Sequence, residues 1–367
     1  VKKKVTILHI DTEKYWRGGQ RQAVYLHREL LKSGWNSILL CPPYSKTETF
    51  CLEESIPVVS LKMRHEADLY AALKISGIVK KEKISIIVAH TAKALSLSFP
   101  SVKKNKFCKL VAVRRVNFHI GKNRLSRWKY SNNLLSAIVS VSESVKKVLI
   151  EDGISEEKIS VIHDGIDLNK YINISSVDGL KKKLQIDEKN IVIGTVAALE
   201  DSKDYTNLLH AAKLVLRQNS RIVFIAVGGG KDEEKLKALH HELALGDRFK
   251  FVGYHQEVGQ FFKLFDIFIL SSKREGLGSS LLDAMSVGNP VIGTNAGGIP
   301  EIIQNGKNGL LVEKEYPQAL AQAIIKLAGN EDLRKKLSDE GLKYVQNFSI
   351  GNITKKYLRL FDALYKQ

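Results

Sequence analysis

The sequence predicts an α/β chain built on two doubly wound parallel sheets. Three observations predict it. Short β-branched runs alternate with helical stretches along most of the chain. Runs such as Ile267-Phe268-Ile269-Leu270 are apolar without alternation, as in parallel strands buried on both faces. The alternation pauses at a polar segment near 166–190, containing Asn169, Asn173, Ser175, Ser176, Asp178 and Lys181-Lys182-Lys183, and then restarts. Such alternation closes into parallel sheets through right-handed crossovers. A length of 367 residues suits two domains of roughly 150–200 residues each.

In the first half the expected strands are 5–10, 36–41, 57–61, 84–89, 109–116, 136–141 and 159–163, with helices between them at 20–33, 67–82 and 143–152 among others. The second half gives strands at 191–197, 221–227, 249–253, 267–271, 290–293 and 309–312, and helices including 205–218, 231–244, 279–287 and 316–328. The last stretch reads as helix alone. Over 351–366 it places Ile353, Tyr357, Leu360, Phe361 and Leu364 on one face. The expected division is 1–168, 169–350 and a terminal helix 351–367 packing back on the first domain.

Apolar residues make up 44% and charged residues 26%, as in globular domains. No apolar run reaches the roughly 18–20 residues of a membrane span. Val5-Thr6-Ile7-Leu8-His9-Ile10, after Lys2-Lys3-Lys4, is strand-length and lacks a small-residue cleavage site, so it is not expected to be a signal peptide. Cys41, Cys51 and Cys108 lack C-x-x-C spacing, which points to reduced thiols in a cytosol. Net charge is +18 and unevenly spread: residues 1–170 hold 30 Lys/Arg against 16 Asp/Glu, the rest 27 against 23. Between Glu82 and Glu143 no acidic residue occurs. That asymmetry points to an anionic partner for the first half. Nucleic acid is not expected, because RNP-like aromatics, metal knuckles and a helix-turn-helix word are missing.

Open parallel sheets bind ligands outside the carboxyl ends of their strands. The unusual residues fall there repeatedly: Gly18-Gly19, His90, the segment Gly194 to Lys203, Gly228-Gly229-Gly230-Lys231, Arg274-Glu275-Gly276 and Asn295-Ala296-Gly297-Gly298. In Ser271 to Met285 a strand runs into a helix. Gly276 and Gly278 permit close backbone approach. Ser279 and Ser280 stand where free N–H groups and the positive end of the helix dipole would receive a diphosphate. Glu275 and Asp283 can accept hydrogen bonds from sugar or ribose hydroxyls. Alone, the same residues also fit a glycine-rich turn with an ordinary cap.

Glu275, seven residues and then Asp283 resembles the E-x7-E signature of glycosyltransferase family 4, a retaining family of the GT-B fold, in which two Rossmann-like doubly wound domains face each other across a cleft. Val161-Ile162-His163-Asp164-Gly165-Ile166-Asp167 resembles that family's interdomain V-I-x-N-G-[VI]-D word. Asp266 to Gly276, Gly288-Asn289-Pro290-Val291-Ile292 and Gly297-Gly298-Ile299-Pro300-Glu301 resemble further family words. The likeness is dense over 191–312. Trp16-Arg17-Gly18-Gly19-Gln20 and Cys41-Pro42-Pro43 resemble members that build cell-surface glycans such as lipopolysaccharide core.

The resemblance implies transfer of a sugar, with retention, from a nucleotide-diphosphate sugar (UDP favoured) to a glycan or glycolipid acceptor. Glu275 would contact the donor sugar, Asp283 the ribose, and the backbone of Leu277, Gly278, Ser279 and Ser280 would cradle phosphate and sugar. Gly18-Gly19 would close over the diphosphate and His90 would lie near the sugar. Catalytic roles are therefore expected for His90, Lys203 and Glu275; donor contacts for Gly18, Gly19, Arg274, Gly276, Leu277, Gly278, Ser279, Ser280 and Asp283. No metal or other cofactor is expected, for D-x-D is missing. Two departures stand out. The family's G-R-L-x-x-x-K-G places an arginine where this chain has Ala198, though Lys203 fits; Arg274 or Arg17 would have to compensate. Asp283 replaces glutamate. A sugar-nucleotide 2-epimerase and a catalytically weak nucleotide-sugar-binding protein remain alternatives. The cations interleaved with Phe107, Trp128 and Tyr130 predict a peripheral protein on an anionic membrane, at its cytoplasmic face.

Overall fold

The computed structural model describes residues 5–121, 124–174 and 176–366, without the side chains of residues 124 and 125. Lys2, Lys3, Lys4 and Ser175, which entered the sequence reading, and Lys122 of the acid-free stretch lie outside these residues. The chain divides into two compact units, Val1–Gly165 with Ile350–Gln367, and Ile166–Ser349.

The first unit holds strands β1 (Thr6–Ile10), β2 (Asn36–Cys41), β3 (Val59–Ser60), β4 (Ile86–Ala89), β5 (Lys109–Arg114), β6 (Ala137–Ser140) and β7 (Ile159–Val161). Their order is β3-β2-β1-β4-β5-β6-β7, all pairs parallel. The second unit holds β8 (Ile191–Val196), β9 (Ile222–Val227), β10 (Phe249–Gly253), β11 (Ile267–Leu270), β12 (Val291–Thr294) and β13 (Leu310–Val312). Their order is β10-β9-β8-β11-β12-β13, again all parallel. Both sheets reverse direction of growth between their first and fourth strands. Such a switch point opens a crevice at the strands' carboxyl ends. Both doubly wound sheets match the predicted class.

The continuous apolar runs are buried on both faces as the pattern requires. Ile86, Ile87 and Val88 have no exposure in the first sheet, nor do Ile267, Phe268 and Ile269 in the second. The 57–61 run yields only the two exposed residues of β3, at the sheet's edge, where one flank lacks a partner strand. The terminal helix Ile350–Lys366 buries Ile353, Tyr357, Phe361 and Leu364 and packs against helix Gly18–Lys32 of the first unit. Gly165 ends that unit's first segment under a double clamp. The Gln22 amide donates to its carbonyl at 2.6 Å and accepts from its N–H at 2.8 Å. A Cβ there would come within 2.9 Å of Ile350, so only glycine fits without movement.

All three cysteines are free and buried. Burial pushes the Cys41 thiol up to about 11 and those of Cys51 and Cys108 up to about 12.

Candidate active site

In the second unit the site begins where β11 ends. Ser271 donates to the Lys203 carbonyl at 2.9 Å. The Lys273 and Arg274 N–H groups donate to the Ser202 carbonyl at 3.0 and 3.2 Å. These bonds stitch the loop after β11 to the short 3-10 turn Asp201–Lys203. The stitching brings the Lys203 ammonium onto Glu275 Oε2. Ser272 Oγ donates to the same oxygen at 3.0 Å. Both side chains of the pair are largely covered, at 21% exposure for Lys203 and 12% for Glu275. Asp204 follows in the left-handed region at φ 48°, where the family word expects glycine. Its carboxylate caps helix Tyr205–Gln218 by accepting from the Asn207 N–H at 3.3 Å.

Beyond Glu275, Gly276, Leu277 and Gly278 are buried and Ser279 opens helix Ser279–Ser286. Gly278 sits at φ 93° with no side chain capping the helix. The first N–H groups of that helix, at Ser279 and Ser280, therefore stand ready for an anion. Asp283, on the next turn, is 3% exposed and accepts a hydrogen bond from the Tyr171 hydroxyl at 3.2 Å. Arg274 is drawn elsewhere. Its guanidinium pairs with Asp201 at 2.9 Å, beside Lys273, which reaches Asp201 at 2.7 Å. It does not join the group around Glu275, so the compensation for Ala198 considered for it is not what this structure shows.

In the first unit, Gly18 and Gly19 are not a loop but the first turn of helix Gly18–Lys32, which has no side-chain cap and no acidic residue in that turn. A Cβ on Gly19 would rest 3.7 Å from Arg115 Cδ. Arg115 follows β5, and its Nη1 lies 3.3 Å from His90 Nδ1. His90, at the end of β4, lies 3.1 Å through Nε2 from His9 Nδ1. Arg115 Nε donates to Asp164 at 3.0 Å. Burial holds the His9 and His90 imidazoles well below their usual range; for His90 the Arg115 charge adds to this, and for His9 the His27 and Arg115 charges do. Burial raises the Asp11 carboxyl, against the opposing hydrogen bonds from Glu13 and Gln20.

Two family descriptions match the chain: "Glycosyltransferase Family 4" over residues 16–170 and "Glycosyl transferases group 1" over residues 176–344. The chain belongs to this glycosyltransferase family. It is 30% identical over 232 residues, 62% of its length, to an uncharacterised glycosyltransferase of Methanocaldococcus jannaschii, and spans 58% of that relative. Its identity to the UDP-Gal:alpha-D-GlcNAc-diphosphoundecaprenol alpha-1,3-galactosyltransferase of Escherichia coli is 24%, covering 95% of this chain and 94% of that one. The crystal structure of Anabaena HepE in complex with UDP superposes with a TM-score of 0.83 at 21% identity, over 98% of this chain and 100% of that one. The fold is therefore GT-B.

Within that family frame, sequence reading finds Lys203, Glu275 and the Gly276 to Ser280 turn, and the structure places them together. It misses His9, Asp11, Arg115, Asp164 and Tyr171. His9 and Asp11 straddle the end of β1, and Arg115 directly follows β5. Their signal was the same strand-end position that singled out His90. Among the described residues no group of three or more His, Cys, Asp or Glu side chains is arranged to hold a metal ion.

Proposed function

We propose that this glycosyltransferase moves a sugar from a nucleoside-diphosphate sugar, UDP favoured, to a glycan or glycolipid acceptor of cell-surface polysaccharide or lipopolysaccharide synthesis, with retention and without a metal. The observation that carries the proposal is the Lys203–Glu275–Ser272 group beside the uncapped helix at Ser279. Lys203 and Ser272 hold Glu275 through Oε2. Among the described residues Oε1 takes no hydrogen bond, and it is suited to accept from donor-sugar hydroxyls. Lys203 and the helix N–H groups oppose charge growing on the departing diphosphate, where preorganised donors lower the barrier most. The acceptor hydroxyl attacks C1 from the face the diphosphate leaves, and its proton passes to a phosphate oxygen. A UDP donor is favoured because the Escherichia coli relative is named for UDP-Gal and the Anabaena structure holds UDP.

The test is release of nucleoside diphosphate and glycoside formation from UDP-, GDP- and ADP-sugars in the presence of chelator. Transfer from a UDP-sugar should persist in chelator, and Glu275→Gln should lower kcat by on the order of a hundredfold while leaving the melting temperature near that of the wild type. Unchanged kcat in Glu275→Gln would remove the donor-sugar contact from the proposal.

We also propose peripheral docking on the cytoplasmic face of a membrane. No helix of the described residues is long and apolar enough to cross one. Phe107, 89% exposed, follows the cations Lys103, Lys104 and Lys106. Trp128, half-exposed, lies tilted against Phe99 with ring centroids 5.1 Å apart. Lys129, which the sequence grouped with these cations, is buried against Glu66 instead. It cannot face lipid. Co-sedimentation with anionic vesicles should weaken with salt and fall when Lys103, Lys104 and Lys106 become Glu. Equal recovery on neutral vesicles would overturn the docking.

A further inference from the structure

Hydrogen-bond chemistry assigns the protons along the buried line in the first unit. Arginine has five N–H donors and no acceptor. Arg115 Nη1, 3.3 Å from His90 Nδ1, must therefore donate, and Nδ1 is the bare nitrogen. The neutral His90 ring then carries its proton on Nε2. That proton points to His9 Nδ1 at 3.1 Å, so His9 Nδ1 is bare and His9 is protonated on Nε2. At the other end Asp164 Oδ1 accepts from Arg115 Nε at 3.0 Å. His27 packs edge-on to His9, with centroids 6.0 Å apart, and is assigned by the same logic. The Pro57 carbonyl can only accept, so His27 Nε2 donates to it at 2.8 Å. His27 Nδ1 then accepts from the Ser37 hydroxyl at 2.7 Å.

We propose that His9, Arg115 and Asp164 are positioning residues that hold His90 as one neutral tautomer, protonated on Nε2, so that its ring is a fixed polar group and not a proton shuttle. Its part in sugar transfer rests on the function proposed above; its tautomer does not. The elements around the ring supply the other charged or titratable neighbours. These are His9 and Asp11 at the end of β1, His27 on helix Gly18–Lys32, Arg115 after β5 and Asp164 after β7. Tyr357 of the terminal helix senses Arg115 and Asp164, and burial pushes its hydroxyl up. Both ring nitrogens of His90 are engaged by protein, so a proton could pass through the ring only after a bond to Arg115 or His9 breaks.

Nitrogen-15 NMR of the full chain labelled at histidine tests this. Between pH 5.5 and 8, His90 should show a bare Nδ1 and a protonated Nε2 that do not change, and His9 the same. A protonated Nδ1 on His90, or its titration in that window, overturns the proposal, and the wild-type spectrum decides this even where a variant fails to fold. Arg115→Met should release His90 into a tautomer mixture. His9→Leu should lower kcat for sugar transfer by on the order of tenfold to a hundredfold, as misplacement of a site group does. His9→Asn, whose amide oxygen can replace Nδ1 as acceptor, should restore most of it. Equal loss in both His9 variants would assign His9 to packing alone and overturn its positioning role. Absence of sugar transfer in the wild type would reject the function while leaving the tautomer result standing.

Discussion

At Asp283 a single missing methylene changes what a carboxylate can reach. The family word has glutamate there, and the shorter side chain lies 3% exposed under the Tyr171 hydroxyl. Tyr171 is itself wedged in place. Its ring lies 5.6 Å from that of Phe262, and Lys170 stands 4.9 Å from its centroid. A hydrogen bond to a charged group contributes about 1.5–3 kcal/mol, enough to set which way Asp283 points. If Asp283 receives the ribose, Tyr171→Phe should weaken UDP binding by about tenfold, the equivalent of about 1.4 kcal/mol. The same change should barely affect 2′,3′-dideoxy-UDP, which lacks the ribose hydroxyls. Calorimetric titration of both nucleotides on both proteins measures it. Equal weakening toward the two ligands would mean that Tyr171 supports the fold near the site and not the ribose contact. Asp283 is legible from its spacing to Glu275. Tyr171 is not, because its partner lies 112 residues away and no spacing rule spans that distance.

Elements were more legible than their contacts. Strands announce themselves as uninterrupted apolar runs, since both faces of a parallel sheet are covered. The glycine triplet after β9 shows where local reading stops. From sequence, Gly228-Gly229-Gly230 reads as one more ligand-side signal at a strand end. In the structure a Cβ on Gly228 would lie 2.0 Å from the Ala197 carbonyl oxygen, and one on Gly230 2.3 Å from that of Leu199. Leu199 N–H donates to the Gly229 carbonyl at 3.1 Å. Those glycines are committed to backbone pressed on backbone, which braces the loop leading to Lys203. The same limit applies to His90. Its position at a strand end is visible, but His9 and Arg115 reach it from two neighbouring strands, and only the order β1-β4-β5 brings the three together. Conversely, the basic stretch before Glu143 reads as cations facing an anionic partner, yet Arg114 and Lys129 are buried in it. Arg114 lies 4.9 Å from the Phe118 ring centroid and donates to the Phe118 carbonyl at 2.6 Å.

Across the whole molecule the buried ionisable groups are shared unequally, and acid should separate the two units. The first unit keeps His9, His27 and His90 lowered, chiefly by burial. Each is neutral when folded and takes a proton in the unfolded chain below about pH 6.5. The unfolded state then binds more protons, so stability rises with pH in this range. The contribution of these groups is complete above about pH 6.5 and is lost as pH falls toward their depressed folded values, at about 1.4 kcal/mol per pH unit for each group. Asp11 has the opposite sign. Its raised folded value lets the native state take a proton first, which favours the native state as acid is added. One carboxyl acts against three imidazoles, and it begins to do so only where its own titration starts. In the second unit Asp204 and Asp266 are raised by burial, so their contribution also grows on acidification. Between pH 6.5 and 5 the first unit should therefore weaken while these groups do not weaken the second. Hydrogen exchange, corrected for its intrinsic pH dependence, can follow each sheet separately. Peptides spanning Ile86–Ala89 should lose protection across that window, and those spanning Ile267–Leu270 should keep it. Replacing His27, which lies outside the proposed Arg115–His90–His9 line, by Gln should shallow the loss in the first sheet by about one third, one group of three acting alike. Parallel loss in both sheets, or a pH-independent first sheet, would show that the buried histidines do not control its acid stability.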